Sequence, residues 1–321
     1  QDAKWPNCVG GFQEVPAVTI STPEEFMEEY VKKHRPVIIK NFQEQFAPKE
    51  EFGPEKLRER FGDYLVHASV SETGRFDGPE DGELWGLPPD EEVLVRPPGA
   101  ALRLRTFLDL AALPPRRRPR ETLYLEYLAL HQYLGPEMSA MVPQPDQAAE
   151  SGMEHYLTNF WIGFTETTSP LHYDDYENLL CQIHGRKELV LFPPDDLPHL
   201  AYRGRRKGRL AYAFPGRFER GAPEEGAASV VFGSSVRLEH DSGGGDPSVR
   251  HPALLQATPY KAVLGPGDTL YLPSYWHHEV TSTPDEESEI NVAVNFWYRN
   301  ETYFEREEEY LRISRTGKTK L

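Results

Sequence analysis

The sequence predicts a mainly β fold, a sandwich or barrel with flanking helices, and two patterns carry that expectation. Short apolar runs separated by polar turns recur through the second half of the chain. The first third instead mixes helical and strand periodicity, which reads as an α/β elaboration of the β core. With 321 residues, 38% hydrophobic and 12% aromatic, the chain can bury a sizeable core, so a disordered tail is excluded.

Taken in order, Ser21-Thr22-Pro23-Glu24-Glu25 reads as a helix start. A hydroxyl caps it, proline stands early, and acids in the first turn suit the helix dipole. Pro36–Phe42 reads as a strand, Gly53-Pro54 opens a short helix ending near Phe61-Gly62, and Tyr64–Val70 alternates as a strand. Residues 73–121 are rich in Gly, Pro and charge apart from a helix at Thr106–Leu113, and read as a surface excursion. Strand patterns resume at Leu123-Tyr124-Leu125. They continue as Leu157–Phe164, Leu171–Tyr173, Leu179–Ile183, Glu188–Phe192, Thr269–Leu272, His278–Thr281 and Asn291–Tyr298. The stretch 195–258 is too long for a hairpin and too polar for core, so it reads as an insertion. The expected organisation is an α/β elaboration over 1–122, a β core over 123–299 and a terminal helix within 300–321, together one structural unit.

Composition narrows the function classes. There are 51 acidic against 35 basic residues, a net charge of −16 that repels phosphate backbones and disfavours nucleic acid as a partner. Arg116-Arg117-Arg118-Pro119-Arg120 and the Arg203–Arg209 cluster are local exceptions, read as solubilising loop charge or as a dock for an acidic peptide. No run of about 18 apolar residues exists, which excludes a spanning helix. Cys8 and Cys181 make neither a disulfide framework nor a zinc-type spacing. A reducing compartment, cytoplasm or nucleus, is the expectation; a processed secretory origin stays open because the chain begins at Gln1.

The chemistry candidate is His172-Tyr173-Asp174, whose imidazole and carboxylate share one strand face. Alone it carries little: 11 histidines and 51 acids in 321 residues predict about 1.7 such triplets by chance. Tyr271–His278 offers a second histidine from a distant strand. Two histidines and one carboxylate form the facial set of non-haem iron(II) oxygenases, whereas zinc hydrolases favour three histidines or an HExxH helix. Alternation decides between His277 and His278. With apolar Trp276 and Val280 inward, His278 faces the metal, Glu279 faces solvent, and His277 is a packing residue.

Several motifs now stand in order. They are His172-Tyr173-Asp174, Asn178, Gln182–Lys187, Leu191-Phe192-Pro193-Pro194, Gly265–Pro273, Tyr275-Trp276, His278 and Val294–Tyr298. The run resembles the JmjC family of 2-oxoglutarate oxygenases. It is most similar there to the small protein hydroxylases, namely the asparaginyl hydroxylase that inhibits hypoxia-inducible factor and related lysyl hydroxylases. The resemblance is dense from about 123 to 298, thin before that, and absent from the insertion.

The resemblance implies a double-stranded β-helix of the cupin or jelly-roll type, with Fe(II) bound by His172, Asp174 and His278. It implies 2-oxoglutarate as co-substrate, O2 as oxidant, and succinate and CO2 as products. Lys187, which by itself reads as a surface strand lysine, would pair with the distal carboxylate of 2-oxoglutarate. Tyr124, Ser169, Asn178 and Asn295 occupy the positions of further polar contacts to that acid. Ser169 departs from the threonine of the small hydroxylases but keeps the hydroxyl. The target is expected to be a protein side chain of Asn, Asp, Lys, Arg or His. A methyl-lysine demethylase, a tRNA-modifying hydroxylase and a non-catalytic cupin remain as alternatives. A homodimer through a helix at Thr302–Ile313 is a further expectation drawn from the family.

Overall fold

The computed structural model describes residues 11–213, 216–224, 230–238 and 247–299. Its N-terminal third follows the local signals. Strands β1 (Gln13–Glu14) and β2 (Ala17–Val18) precede α1 (Pro23–Phe26). The Thr22 hydroxyl accepts the Glu25 amide at 3.1 Å, and the Glu25 carboxylate accepts the Ser21 amide at 2.8 Å. Then come β3 (Val37–Ile39), α2 (Pro54–Phe61), β4 (Leu65–Ser71), β5 (Gly78–Asp81), β6 (Glu92–Arg96), β7 (Gly99–Arg103) and α3 (Leu104–Ala111). A helix at Leu130–Met141 escaped the sequence reading because Gly135 and Pro136 interrupt its pattern, and its backbone breaks at Gly135 (φ 76°).

The remaining strands are β8 (Thr122–Ala129), β9 (Glu154–Gly163), β10 (Thr167–Tyr173), β11 (Glu177–His184), β12 (Arg186–Phe192), β13 (Tyr202–Ala213), β14 (Arg217–Arg220), β15 (Val230–Ser234), β16 (Tyr260–Leu264), β17 (Thr269–Leu272), β18 (His277–Thr283) and β19 (Asn291–Arg299). Eight of them form the double-stranded β-helix. One sheet runs β17-β11-β19-β9 and the facing sheet β16-β12-β18-β10. The first sheet is extended on both edges, by β3 and β2 on one side and β8, β4 and β7 on the other.

Strand alternation sorts the core. On β11, Leu180 packs between the sheets with Leu189, Leu191, Leu270, Leu272 and Trp276. Leu179 and Cys181 face outward into a second core with Phe26, Phe61, Phe160 and Phe296, under the N-terminal helices. Asn178 and Gln182 therefore share the inner face with Leu180, and Asn295 shares it with Ala293.

Two sequence expectations are corrected. Residues 73–121 and 195–258, read as a surface excursion and an insertion, are not independent of each other: parts of both pair in a third sheet, ordered β14-β13-β6-β5, with β15 also on β13. The join is parallel, from Arg206 opposite Val93 to Arg209 opposite Arg96. The arginine cluster is not solvated loop charge either. Arg203 and Arg205 meet Glu92 at 2.8 Å, Arg206 meets Glu91 at 2.5 Å, and Arg209 meets Glu224 at 2.5 Å. Arg205 is buried by these contacts, while Arg203 and Arg209 keep much of their surface in solvent.

The second correction concerns Glu279, which is fully buried rather than solvent-facing. The outer face of the β10–β18 sheet is covered by Leu200, Val236, Leu238 and Leu254, which pack on Leu171, Val190 and Phe192. Arg75 approaches the Glu279 carboxylate at 3.9 Å. The helix expected at Thr302–Ile313, its dimer interface and Cys8 lie outside the described residues.

Gly208 fixes how closely the third sheet packs. A Cβ there would meet Trp85 Cη2 at 2.5 Å and Val93 Cγ1 at 2.6 Å. Gly208→Ala is expected to lower stability by about 1–3 kcal/mol through overpacking. An unchanged urea midpoint would refute this tight contact.

Candidate functional site

Strands β10 and β18 run antiparallel with His172 directly opposite His278, after a register irregularity between Ser169 and His172. The two imidazole centroids are 4.2 Å apart. Each ring is tied by Nδ1 to a backbone carbonyl two residues earlier: His172 to Pro170 at 2.7 Å, His278 to Trp276 at 2.9 Å. A carbonyl only accepts, so Nδ1 carries the proton and the neutral ring keeps its lone pair on Nε2. Burial drives the His278 pKa well below its usual value, which holds that ring neutral.

Asp174 completes the group. Its Oδ2 is 3.8 Å from His278 Nε2, and its backbone carbonyl accepts the Tyr275 amide at 2.7 Å. Burial pushes its carboxyl pKa up. One ligand atom from each of His172, Asp174 and His278 lies within 4.8 Å of the others. Two imidazole lone pairs and one carboxylate on converging strands fit a divalent cation of the iron(II) type. His277 points the other way, with Nδ1 3.0 Å from the Tyr202 hydroxyl, and burial lowers its pKa to about 3.

Deeper between the sheets lies Lys187, 2% exposed and not the surface lysine its strand pattern suggested. Its ammonium donates to Ser282 Oγ at 2.6 Å and Tyr124 Oη at 3.3 Å. No carboxylate among the described residues pairs with it, and burial lowers its pKa to about 7. A buried ammonium held by hydroxyls alone fits a small anionic ligand. Asn178 and Asn295 also meet: Asn295 Nδ2 donates to Asn178 Oδ1 at 3.1 Å, and Trp161 Nε1 donates to Asn295 Oδ1 at 2.6 Å. Ser169 stands opposite Val280, on the face of the sheet that carries His278, and lines the cleft with His172 and Asp174.

Three interior residues escaped the sequence reading. Ser282 lies opposite Lys187 and four residues beyond His278, so strand alternation from His278 could have found it. Trp161 lies within the apolar run Leu157–Phe164, where nothing local signals its indole N–H bond to Asn295. Asn159 shares the inner face of β9 with Trp161, is fully buried, and has no partner at either amide atom. An unpaired buried amide is costly, at about 1–3 kcal/mol, and a polar ligand in this interior would relieve it.

The His172–Asp174 edge opens into a cleft of about 980 Å³ between the barrel and the third sheet. Its walls include Tyr173, Glu126 and Tyr127 on the barrel side and Leu94, Lys207 and Phe232 on the outer sheet. A cleft of this size admits a peptide side chain with its flanking backbone.

A cupin-like domain family matches residues 23–304. The chain is 28% identical over 283 residues to the bifunctional peptidase and (3S)-lysyl hydroxylase JMJD7 of Homo sapiens, covering 86% of this chain and 81% of that protein. It is 24% identical over 301 residues to JmjC domain-containing protein E of Dictyostelium discoideum, with the same coverage of each. Lysine-specific demethylase JMJ31 of Arabidopsis thaliana is 35% identical over 142 residues, which cover 44% of this chain and 21% of that protein. Together with the fold and the histidine–aspartate–histidine group, these matches mean that the chain belongs to the cupin-like family and is a JmjC-type 2-oxoglutarate-dependent oxygenase.

Proposed function

We propose that this oxygenase hydroxylates a side chain of a protein substrate, with His172, Asp174 and His278 holding Fe(II). The observation that carries the reading is the convergence of those three donors at the inner end of a cleft wide enough for a peptide. Lys187 and Tyr124 would receive the distal carboxylate of 2-oxoglutarate, with Ser169, Asn178 and Asn295 as further polar contacts. The iron would couple oxidation of 2-oxoglutarate by O2, to succinate and CO2, with insertion of one oxygen atom into a substrate C–H bond. The chain itself contributes position: locked imidazole tautomers, a buried cation for the co-substrate, and apolar walls that keep water from the reacting carbon. The lysyl hydroxylase relative, matched over most of both chains, supports a protein target over nucleic acid, as does the charge of −16.

Incubating the full chain with Fe(II), O2, 2-oxoglutarate and pooled peptides, unmodified or methylated on lysine, tests this reading. Unmodified peptide is expected to gain one oxygen in step with succinate, and Asp174→Ala is expected to abolish both while leaving the fold intact. Loss of methyl groups would make the chain a demethylase; full activity in Asp174→Ala would overturn the ligand assignment.

The buried ammonium makes a separate prediction about the ligand-free protein. Lys187 holds a pKa near 7 when folded and about 10.4 when unfolded, so between those values the unfolded chain binds more protons. Stability therefore rises with pH across that window. Lys187→Met is expected to be about 1–3 kcal/mol more stable than the natural chain at pH 7, with the gap closing toward pH 10. A gap independent of pH would contradict the charge assignment.

A further inference from the structure

We propose that Glu126, carried into the cleft with Tyr127 by a bulge in β8, selects a cationic side chain as the group brought to the iron. The inference rests on the hydroxylase reading and adds the substrate's charge. Pairing of β8 with β9 runs Tyr124 to Gly163 and Leu125 to Ile162, then resumes at Leu128 opposite Phe160. Glu126 and Tyr127 thus face Trp161 alone, two residues against one, which turns both out of the ladder. Tyr127 accepts a left-handed backbone (φ 52°), a conformation a bulky side chain rarely adopts. Both residues line the same cleft as His172 and Asp174.

The charges in that cleft single out Glu126. Asp77 is engaged by Arg96 at 3.1 and 3.3 Å, and Glu224 by Arg209 at 2.5 Å. Outside the metal group, Glu126 is the cleft carboxylate with no ion pair among the described residues; Ser69 donates a hydrogen bond to it, and Arg96, already engaged by Asp77, attracts it more weakly. Lys207, likewise unpaired there, stands on the outer-sheet wall. Burial and the nearby Asp77 raise the Glu126 carboxyl to about 7, the behaviour of a carboxylate short of a cation. Tyr127 lines the cleft beside both Asp174 and Glu126, and burial, together with those two carboxylates, pushes its hydroxyl pKa up. Its ring packs on Trp161 at 4.6 Å and near Trp297 at 6.0 Å, an aromatic wall suited to the aliphatic stem of lysine or arginine.

A binding titration tests this without turnover. Nα-acetyl-lysine methylamide and its norleucine counterpart, which lacks the amine, are titrated into the full chain and followed by NMR. The lysine compound is expected to bind at least about tenfold tighter. Glu126→Gln is expected to erase that preference and Glu126→Asp to restore part of it. Equal binding of the two compounds, absence of binding by either, or a preference that survives Glu126→Gln would overturn the proposal. A chain that prefers the amine yet oxidises no peptide would instead overturn the hydroxylase reading and leave amine recognition standing.

Discussion

Antiparallel pairing of β10 with β18 sets His172 against His278, and a backbone carbonyl within each strand holds the Nδ1 of each ring. Backbone acceptors cannot change protonation state, so the tautomers are fixed by the fold and not by a titrating neighbour. Everything chemical about this end of the barrel follows from that arrangement. Both Nε2 lone pairs are directed away from their own strands, and Asp174 reaches the same place because it lies two residues beyond His172 on the same face. A one-residue slip of β18 would exchange His278 for His277, which is bonded to Tyr202 on the opposite side.

The register is protected by burial on both faces. The inner face of β18 meets the interdigitated leucines of the barrel, and the outer face lies under the segment between β12 and β16. That segment is held in turn by ion pairs to Glu91 and Glu92, on the excursion before α3. Arg205 is 4% exposed and donates to Glu92, Gly233 and Ser235, a satisfied buried charge rather than a surface one. The third sheet thus forms one wall of the cleft and also covers the strand that carries His278.

Much of this was legible in the sequence, for a physical reason. Barrel strands such as Leu179–Ile183 and Asn291–Tyr298 are buried along nearly their whole length and show as apolar runs, and alternation puts His278 and His277 on opposite faces of β18, as the structure does. Lys187 is different. Its strand pattern is that of an ordinary exposed lysine, and only resemblance to a family pointed to its role. Glu279 misled because nothing local says that a second layer covers its face. The third sheet was hidden because its cohesion depends on glutamates more than 100 positions from their arginines. The bulge at Glu126 and Tyr127 was hidden because a bulge breaks the period that reveals a strand.

Lys187 links the fold to the proposed chemistry. Burial disfavours its ammonium and an anionic co-substrate would favour it, so ligand binding and protonation are coupled there. Anaerobic calorimetric titration of 2-oxoglutarate into the iron(II)-loaded chain at pH 7, in buffers of different ionisation enthalpy, measures that coupling directly. With a pKa of about 7 before binding and full charge after it, Lys187 should take up about half a proton per chain, an uptake lost in Lys187→Met. Binding with no proton uptake, or no binding at all, would contradict the account.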